Sequence, residues 1–236
     1  MGREGKASGV SAELEALYQA VSHELRSPLG AVLNYASILE IDFGPRLEPE
    51  ARELLGRLRR SAENAVGLLD ALPRMAMVER AALQPVPLDL AALCRAAFDS
   101  AKPVGARAEL QLGSLPELRA DPTLLSSALE ELFSNALKFS GTREKAQVAV
   151  SGWQSDSGVV ICVRDEGIGF DPRFASKLFQ VFSRLHPRGT YPGAGVGLAR
   201  VRRISERHGG RVWAESEPDA GARFFIELPA RSEASE

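Results

Sequence analysis

Leu14, Tyr18, Val21, Leu25, Pro28, Val32, Tyr35 and Leu39 follow one another at alternating steps of four and three. That spacing leaves the first part of this chain few ways to fold. Residues so placed line one stripe of an α-helix that keeps facing a partner helix, the seam of a coiled coil. Ser11 suits the N-cap, Glu13 and Glu15 suit the first turn, and the helix is predicted to run to about Asp42. Phe43-Gly44-Pro45 breaks it, and Pro49 fits the first turn of a second helix. The second helix has its own seam at Ala51, Leu55, Leu58, Ala62, Ala65, Leu69 and Leu72. Two such helices joined by a short turn make an antiparallel hairpin. One hairpin cannot bury both stripes, so pairing with a second copy into a four-helix bundle is the predicted outcome. Pro73 is expected to kink the second helix or end it early.

His23 lies two residues after Val21 and two before Leu25. At about 100° per residue it is turned roughly 200° from either, out of the seam and into solvent. Glu24 follows it, and Pro28 removes the hydrogen bond that its own nitrogen would make to the Glu24 carbonyl. A neutral imidazole is a nucleophile near pH 7, and an adjacent carboxylate can hold the proton on its other nitrogen. The alternative is a solvated surface histidine with no chemistry.

From Pro85 the period changes. Short β-type runs lie at 107–112, 145–153, 158–164, 210–216 and 222–228, with helical stretches at 89–101, 121–139 and 195–208. Val159-Val160-Ile161-Cys162-Val163 is apolar throughout, as a central strand would be. The fold class predicted is α+β: the hairpin, then an α/β sandwich with a mixed sheet. The domains expected are 11–82 and 86–229, with unstructured tails at 1–10 and 230–236. Residues 1–10 could equally be the cut end of a longer protein. The net charge of −2 gives no electrostatic argument for a nucleic-acid or membrane surface. No apolar run reaches the ~18 residues of a membrane span. Cys94 and Cys162 sit in apolar segments without metal spacing, as buried thiols of a cytoplasmic protein would.

Three elements of the second half carry chemistry. Glu131, Asn135 and Lys138 share one helix face. A carboxylate, a carboxamide oxygen and an ammonium on one stripe suit magnesium and phosphate, although such a stripe is also an ordinary solvated face. Asp165-Glu166-Gly167-Ile168-Gly169 follows the apolar strand. Its glycines admit a planar ligand and its carboxylate can accept from an exocyclic amine; alone, it reads as a turn. Gly193-Ala194-Gly195-Val196-Gly197-Leu198 opens a helix whose N-terminus favours anions. Between the second and third elements, Phe179, Phe182, Arg184, Arg188 and Tyr191 have the composition of a lid over a polyanion.

Taken together and in this order, the three elements resemble the Bergerat-type ATP-binding domain of sensor histidine kinases. The window Val21-Ser22-His23-Glu24-Leu25-Arg26-Ser27-Pro28 resembles the H-box of the same family's dimerisation and phosphotransfer domain. Phe182-Ser183-Arg184-Leu185-His186-Pro187-Arg188 and Glu206-Arg207-His208-Gly209-Gly210 are most similar to kinases attached to bacterial phytochromes. The resemblance implies ATP and magnesium as cofactors, a homodimer, a response-regulator receiver domain as partner, and input from a sensor outside this chain.

It implies His23 as phosphoacceptor, Glu24 as its neighbouring base, Asn135 as magnesium ligand and Lys138 on phosphate. Asp165 would read the adenine amine, and Gly167 and Gly169 would shape the adenine pocket. Gly193, Gly195, Gly197 and Leu198 would form the lid hinge and phosphate turn. Phe179 and Phe182 would fill the F-box, and Arg184 would couple the lid to the phosphohistidine helix. Glu131 stands where many members have asparagine. It is carried as a second metal ligand, or as the base of an ATPase, since related ATPases of the wider superfamily use a glutamate there. Ser27 stands where threonine or asparagine is usual, which leaves a phosphatase activity open. Three readings follow: an autophosphorylating histidine kinase, an ATPase using Glu131, and a dimeric adaptor without catalysis.

Overall fold

The computed structural model describes residues 4–80, 82–141, 145–183, 191 and 195–230, with side chains from residue 20 onward except 71 and 72. The chain divides into two compact units, one built on the helical hairpin up to Met77 and one starting at Val78.

In the first unit α1 spans Glu4–Ile38 and continues as a π-helical turn, Leu39–Phe43, and a 3-10 turn, Gly44–Arg46. Helix α2 spans Pro49–Arg80. The predicted break at Phe43-Gly44-Pro45 and restart at Pro49 are where the chain turns. The stripe of α1 covered within the chain is Ser22, Leu29, Leu33 and Ala36, and on α2 Ala62 and Leu69 are buried. Arg26 pairs with Asp70, and Glu40 lies 3.5 Å from Arg59, which fixes the antiparallel register. Val21, Leu25, Val32, Tyr35 and Leu39 stay exposed, Tyr35 to 66%. The hairpin therefore uses a stripe one residue over from the predicted seam and leaves the described part of that seam, from Val21 to Leu39, uncovered.

Two expectations differ from the structure here. Helix α1 begins at Glu4, inside the stretch 1–10 expected as a tail. Extending an existing helix adds one bond per residue, and Gly5 and Gly9 weaken that extension without stopping it. Pro73 neither ends α2 nor shortens it, since the helix runs on to Arg80. The proline removes one hydrogen bond, and the turn beyond it is held by other means. Val78 is buried in the core of the second unit, its carbonyl accepts from Arg207, and Glu79 accepts from Arg203.

The second unit is a layered α/β fold. Its strands are β1 (Val86–Leu88), β2 (Ala108–Leu112), β3 (Leu118–Ala120), β4 (Ala146–Gln154), β5 (Val159–Asp165), β6 (Arg211–Ser216) and β7 (Ala222–Leu228). Its helices are α3 (Leu90–Ala101), α4 (Pro122–Phe139) and α5 (Gly197–Arg207). The main sheet has the order β2-β4-β5-β7-β6, with β2 and β4 parallel and the other pairs antiparallel. The mixed sheet and the central place of Val159–Val163 are as the sequence predicts. Alternate strand residues, Val148, Val150, Ile161, Val163, Phe224 and Ile226, face the apolar stripes of the three helices. The opposite face carries a smaller cluster in which Trp213 stacks on Phe225 with centroids 4.8 Å apart. The short pair β1–β3 and a 3-10 turn at Pro172–Lys177 are not legible in the sequence pattern. Three-residue strands carry too little periodicity to register.

Candidate functional site

Helix α4 carries one side of the site, and its start is locked. Asp121 caps it, accepting from the Thr123 and Leu124 backbone N–H groups at 3.0 Å and from Gln84 N–H at 3.1 Å. The Asp121 N–H in turn donates to Nε2 of buried His208 at 3.1 Å, while Nδ1 of that ring lies 2.8 Å from the Ile204 carbonyl. His208 thereby ties the end of α5 to the start of α4. Leu125, Leu129, Leu132, Phe133 and Ala136 bury the inner face of α4. The opposite stripe presents Glu131, Asn135 and Lys138, as their spacing predicts. Lys138 Nζ donates to Asn135 Oδ1 at 2.9 Å and lies 4.4 Å from the Phe139 ring centroid.

Asp165 ends β5, the central strand, and is 3% exposed. Its carboxylate accepts from the Gly167 N–H at 2.9 Å and from the Ala222 N–H. Burial outweighs those two donors and raises its pKa from the ordinary 3.8 to about 6. A carboxylate has about four acceptor positions, so these two donors leave room for another. The loop beyond it is clamped from both sides. The Ile168 N–H donates to the Phe139 carbonyl at 3.3 Å, and the Asp219 N–H donates to the Ile168 carbonyl at 2.8 Å. Gly169 has φ +62°, and a side chain there would run into the Glu217 carbonyl, so only glycine serves. Asn135, Lys138 and the Asp165 loop thus meet at the C-terminal end of α4. Next to Phe139, the Ser140 hydroxyl is buried and has no partner among the described residues.

The glycine turn opens α5 at Gly197, with Leu198 half-buried against the core. Phe182 has φ +67° and is 58% exposed, and its N–H donates to the Gly195 carbonyl at 2.9 Å. Phe179, by contrast with exposed Phe182, is a core residue. Arg184 and Gly193 lie outside the described residues. Glu131 is engaged: Arg200 Nη2 lies 2.8 Å from its Oε1, and Arg200 is 8% exposed. A Cβ at position 197 would collide with Glu131 Oε2. A carboxylate held this way is poorly placed to take a proton from water or to ligate a cation.

In the first unit the His23 and Glu24 side chains are 83% and 85% exposed, with Nδ1 3.9 Å from Oε1. That distance is an ion-pair approach rather than a hydrogen bond. The imidazole points outward, as the heptad argument requires.

The second unit's site fits a purine nucleotide carrying phosphates. It offers a buried acceptor for an exocyclic amine, a carboxamide oxygen and an ammonium on one face, and an anion-favouring helix start. Among the described residues, no group of three His, Cys, Asp or Glu side chains could cage a metal. A cation here would share Asn135 with phosphate oxygens, as magnesium commonly does. The sequence motifs give Arg200, Ser140 and His208 no place in the site. Arg200 had a signal: it is a charge among Leu198, Ala199 and Val201, on a face that has to be buried.

Comparison with known proteins bears on the same residues. The family described as histidine kinase-, DNA gyrase B- and HSP90-like ATPase matches residues 120–232, and the His Kinase A (phospho-acceptor) domain matches residues 13–80. Phytochrome-like protein Cph1 of Synechocystis sp. is 31% identical over 93% of this chain. The circadian input-output histidine kinase CikA of Synechococcus elongatus is 32% identical over 90% of it. The chain spans 29% of the length of each. The solved structure of full-length ShkA in complex with AMPPNP is 29% identical, with a TM-score of 0.59 over 92% of this chain and 47% of that one. No helix among the described residues is long and apolar enough to cross a membrane. With both modules matched in order, the chain belongs to the sensor histidine kinases and carries their catalytic core.

Proposed function

We propose that this chain uses ATP to phosphorylate its own His23 and passes the phosphoryl group to an aspartate of a response-regulator receiver domain. The observation that carries the reading is the outward imidazole on α1, with the nucleotide-type site of the second unit in the same chain. Asp165 accepts from the adenine amine, Gly167 and Gly169 shape the adenine pocket, and Lys138 contacts phosphate. Gly193, Gly195, Gly197 and Leu198 form the phosphate turn, with Phe182 and Arg184 at the lid. A magnesium ion, for which Asn135 is the ligand this chain offers, supplies charge neutralisation on the phosphates.

Glu24 Oε1 lies 3.9 Å from Nδ1 of His23; closing to hydrogen-bond distance, it would hold the proton on Nδ1 and leave Nε2 as the nucleophile. Nε2 forms its bond to the γ-phosphorus as the bond to the bridging oxygen breaks and ADP leaves. The Nδ1 proton passes to Glu24 or to water. Positioning and charge neutralisation do most of the work in such a loose transition state. In the second step the phosphoryl group leaves Nε2 for a carboxylate oxygen of the partner.

The exposed stripe Val21, Leu25, Val32, Tyr35 and Leu39, with Leu54 and Leu58 of α2, supports a homodimeric four-helix bundle. The engagement of Glu131 by Arg200 argues against the ATPase reading. The fate of labelled γ-phosphate separates the three readings. Label on protein, chased off by a receiver domain, supports the kinase; label in free phosphate supports the ATPase; label remaining in ATP supports the adaptor. His23→Gln keeps nucleotide binding and abolishes the protein label, and a persistent label refutes the assignment.

A further inference from the structure

Glu131 brings a negative charge to the part of the site where anions are wanted. It stands on α4 one turn before Asn135, and its Oε2 lies against Gly197, the first residue of α5. Val196, the N-cap of that helix, supplies no capping side chain. A carboxylate there suits the helix dipole, and a phosphate competes for the same place. Two anions sharing it repel each other. Arg200, one turn into α5, is where that charge is met: its Nη2 lies 2.8 Å from Glu131 Oε1 and 3.4 Å from the Ser127 carbonyl. The guanidinium is nearly buried, and its Nε has no partner among the described residues. A charge so enclosed, spent on one carboxylate, is costly unless the pairing serves something.

We propose that Arg200 is a positioning residue of the nucleotide site, cancelling the charge of Glu131 so that the glycine turn opening α5 can receive phosphates. The inference rests on the nucleotide reading above and adds a residue to it. It carries a signature that a scaffold role lacks, because the repulsion by a bare Glu131 grows with the number of phosphates on the ligand. The purine contact at Asp165 is indifferent to it.

The test is the affinity of the full chain for ATP, ADP and AMP, each with magnesium, measured by calorimetry. The proteins compared are wild type, Arg200→Met and the double variant Glu131→Gln with Arg200→Met. Arg200→Met is expected to weaken ATP about tenfold or more, ADP less, and AMP by under about twofold. The double variant, neutral at both positions and similar in shape, is expected to recover ATP affinity to within about threefold of wild type. It also covers the case in which Arg200→Met alone unfolds. Equal weakening of all three nucleotides, or a double variant that stays weak for ATP, overturns the proposal. A wild-type chain that binds none of them takes down the nucleotide reading and this inference with it.

Discussion

Asp165 is predicted to be a liability to the empty protein, and Asp165→Asn should show it. Burial raises its pKa from 3.8 to about 6 in the folded chain. An acid raised on folding destabilises the native state wherever it is ionised. The penalty is therefore complete above pH 6, fades between 6 and 3.8, and is gone below 3.8. At about 1.4 kcal/mol per pH unit, that rise corresponds to about 3 kcal/mol above pH 6. Asparagine removes the charge and keeps a carbonyl for the Gly167 N–H. It weakens the two charge-assisted bonds from Gly167 and Ala222, a loss of about 1–2 kcal/mol. The net is a gain of about 1–2 kcal/mol, or a melting temperature higher by about 5 °C for a domain of this size. The chain's two tryptophans are Trp153 and Trp213, both in the second unit, so their fluorescence follows the relevant transition alone. The nucleotide-free variant should melt above wild type at pH 8, with the difference gone or reversed at pH 4, while ATP binding falls by about a hundredfold or more. A variant that melts below wild type at pH 8, or an offset independent of pH, refutes the reasoning.

The same carboxylate sets a pH dependence for binding. ATP affinity should be flat above pH 7 and fall toward tenfold per pH unit below about 6, as calorimetry between pH 5 and 8 would show; a flat profile excludes Asp165 as the acceptor. Glu227 behaves oppositely. Hydrogen bonds from the Ser155 and Ser157 hydroxyls, and then Arg211, lower its pKa from 4.5 to about 2. The stability it contributes is complete above pH 4.5 and is lost as pH falls toward 2. Glu227→Gln should lower the tryptophan-monitored melt at pH 7, with a deficit that shrinks as pH falls below 4.5; a deficit constant with pH contradicts the assignment. Val32→Glu with Tyr35→Glu places charges on the uncovered stripe of α1. Light scattering should then report half the wild-type mass with the second unit's melt unchanged, and an unaltered mass refutes the dimer face.

Much of this architecture is legible in the residues because it rests on period. Heptad spacing gives the hairpin and turns His23 outward, and the unbroken run Val159–Val163 gives the central strand. Spacing is also what placed Asn135 and Lys138 on one face. What spacing could not give is tertiary pairing. Which of two adjacent stripes on α1 packs inside the hairpin depends on Ala36 and Ala62, small enough for close approach, against the bulk of Tyr35. Pro73 reads as a breaker because the sequence does not show that Val78 and Glu79, at the end of the same helix, are held by Arg207 and Arg203. Glu131 reads as ligand or base because its partner, Arg200, is far off in the chain.

The most direct measurement is the position of the phosphoryl group after the chain is incubated with ATP and magnesium, mapped by mass spectrometry under alkaline conditions that preserve nitrogen–phosphorus bonds. The account predicts a single modified residue, His23, labelled to a lesser extent in Glu24→Gln and not at all in His23→Gln. Phosphate on a serine or threonine, or none on the protein while ATP is consumed, would contradict it.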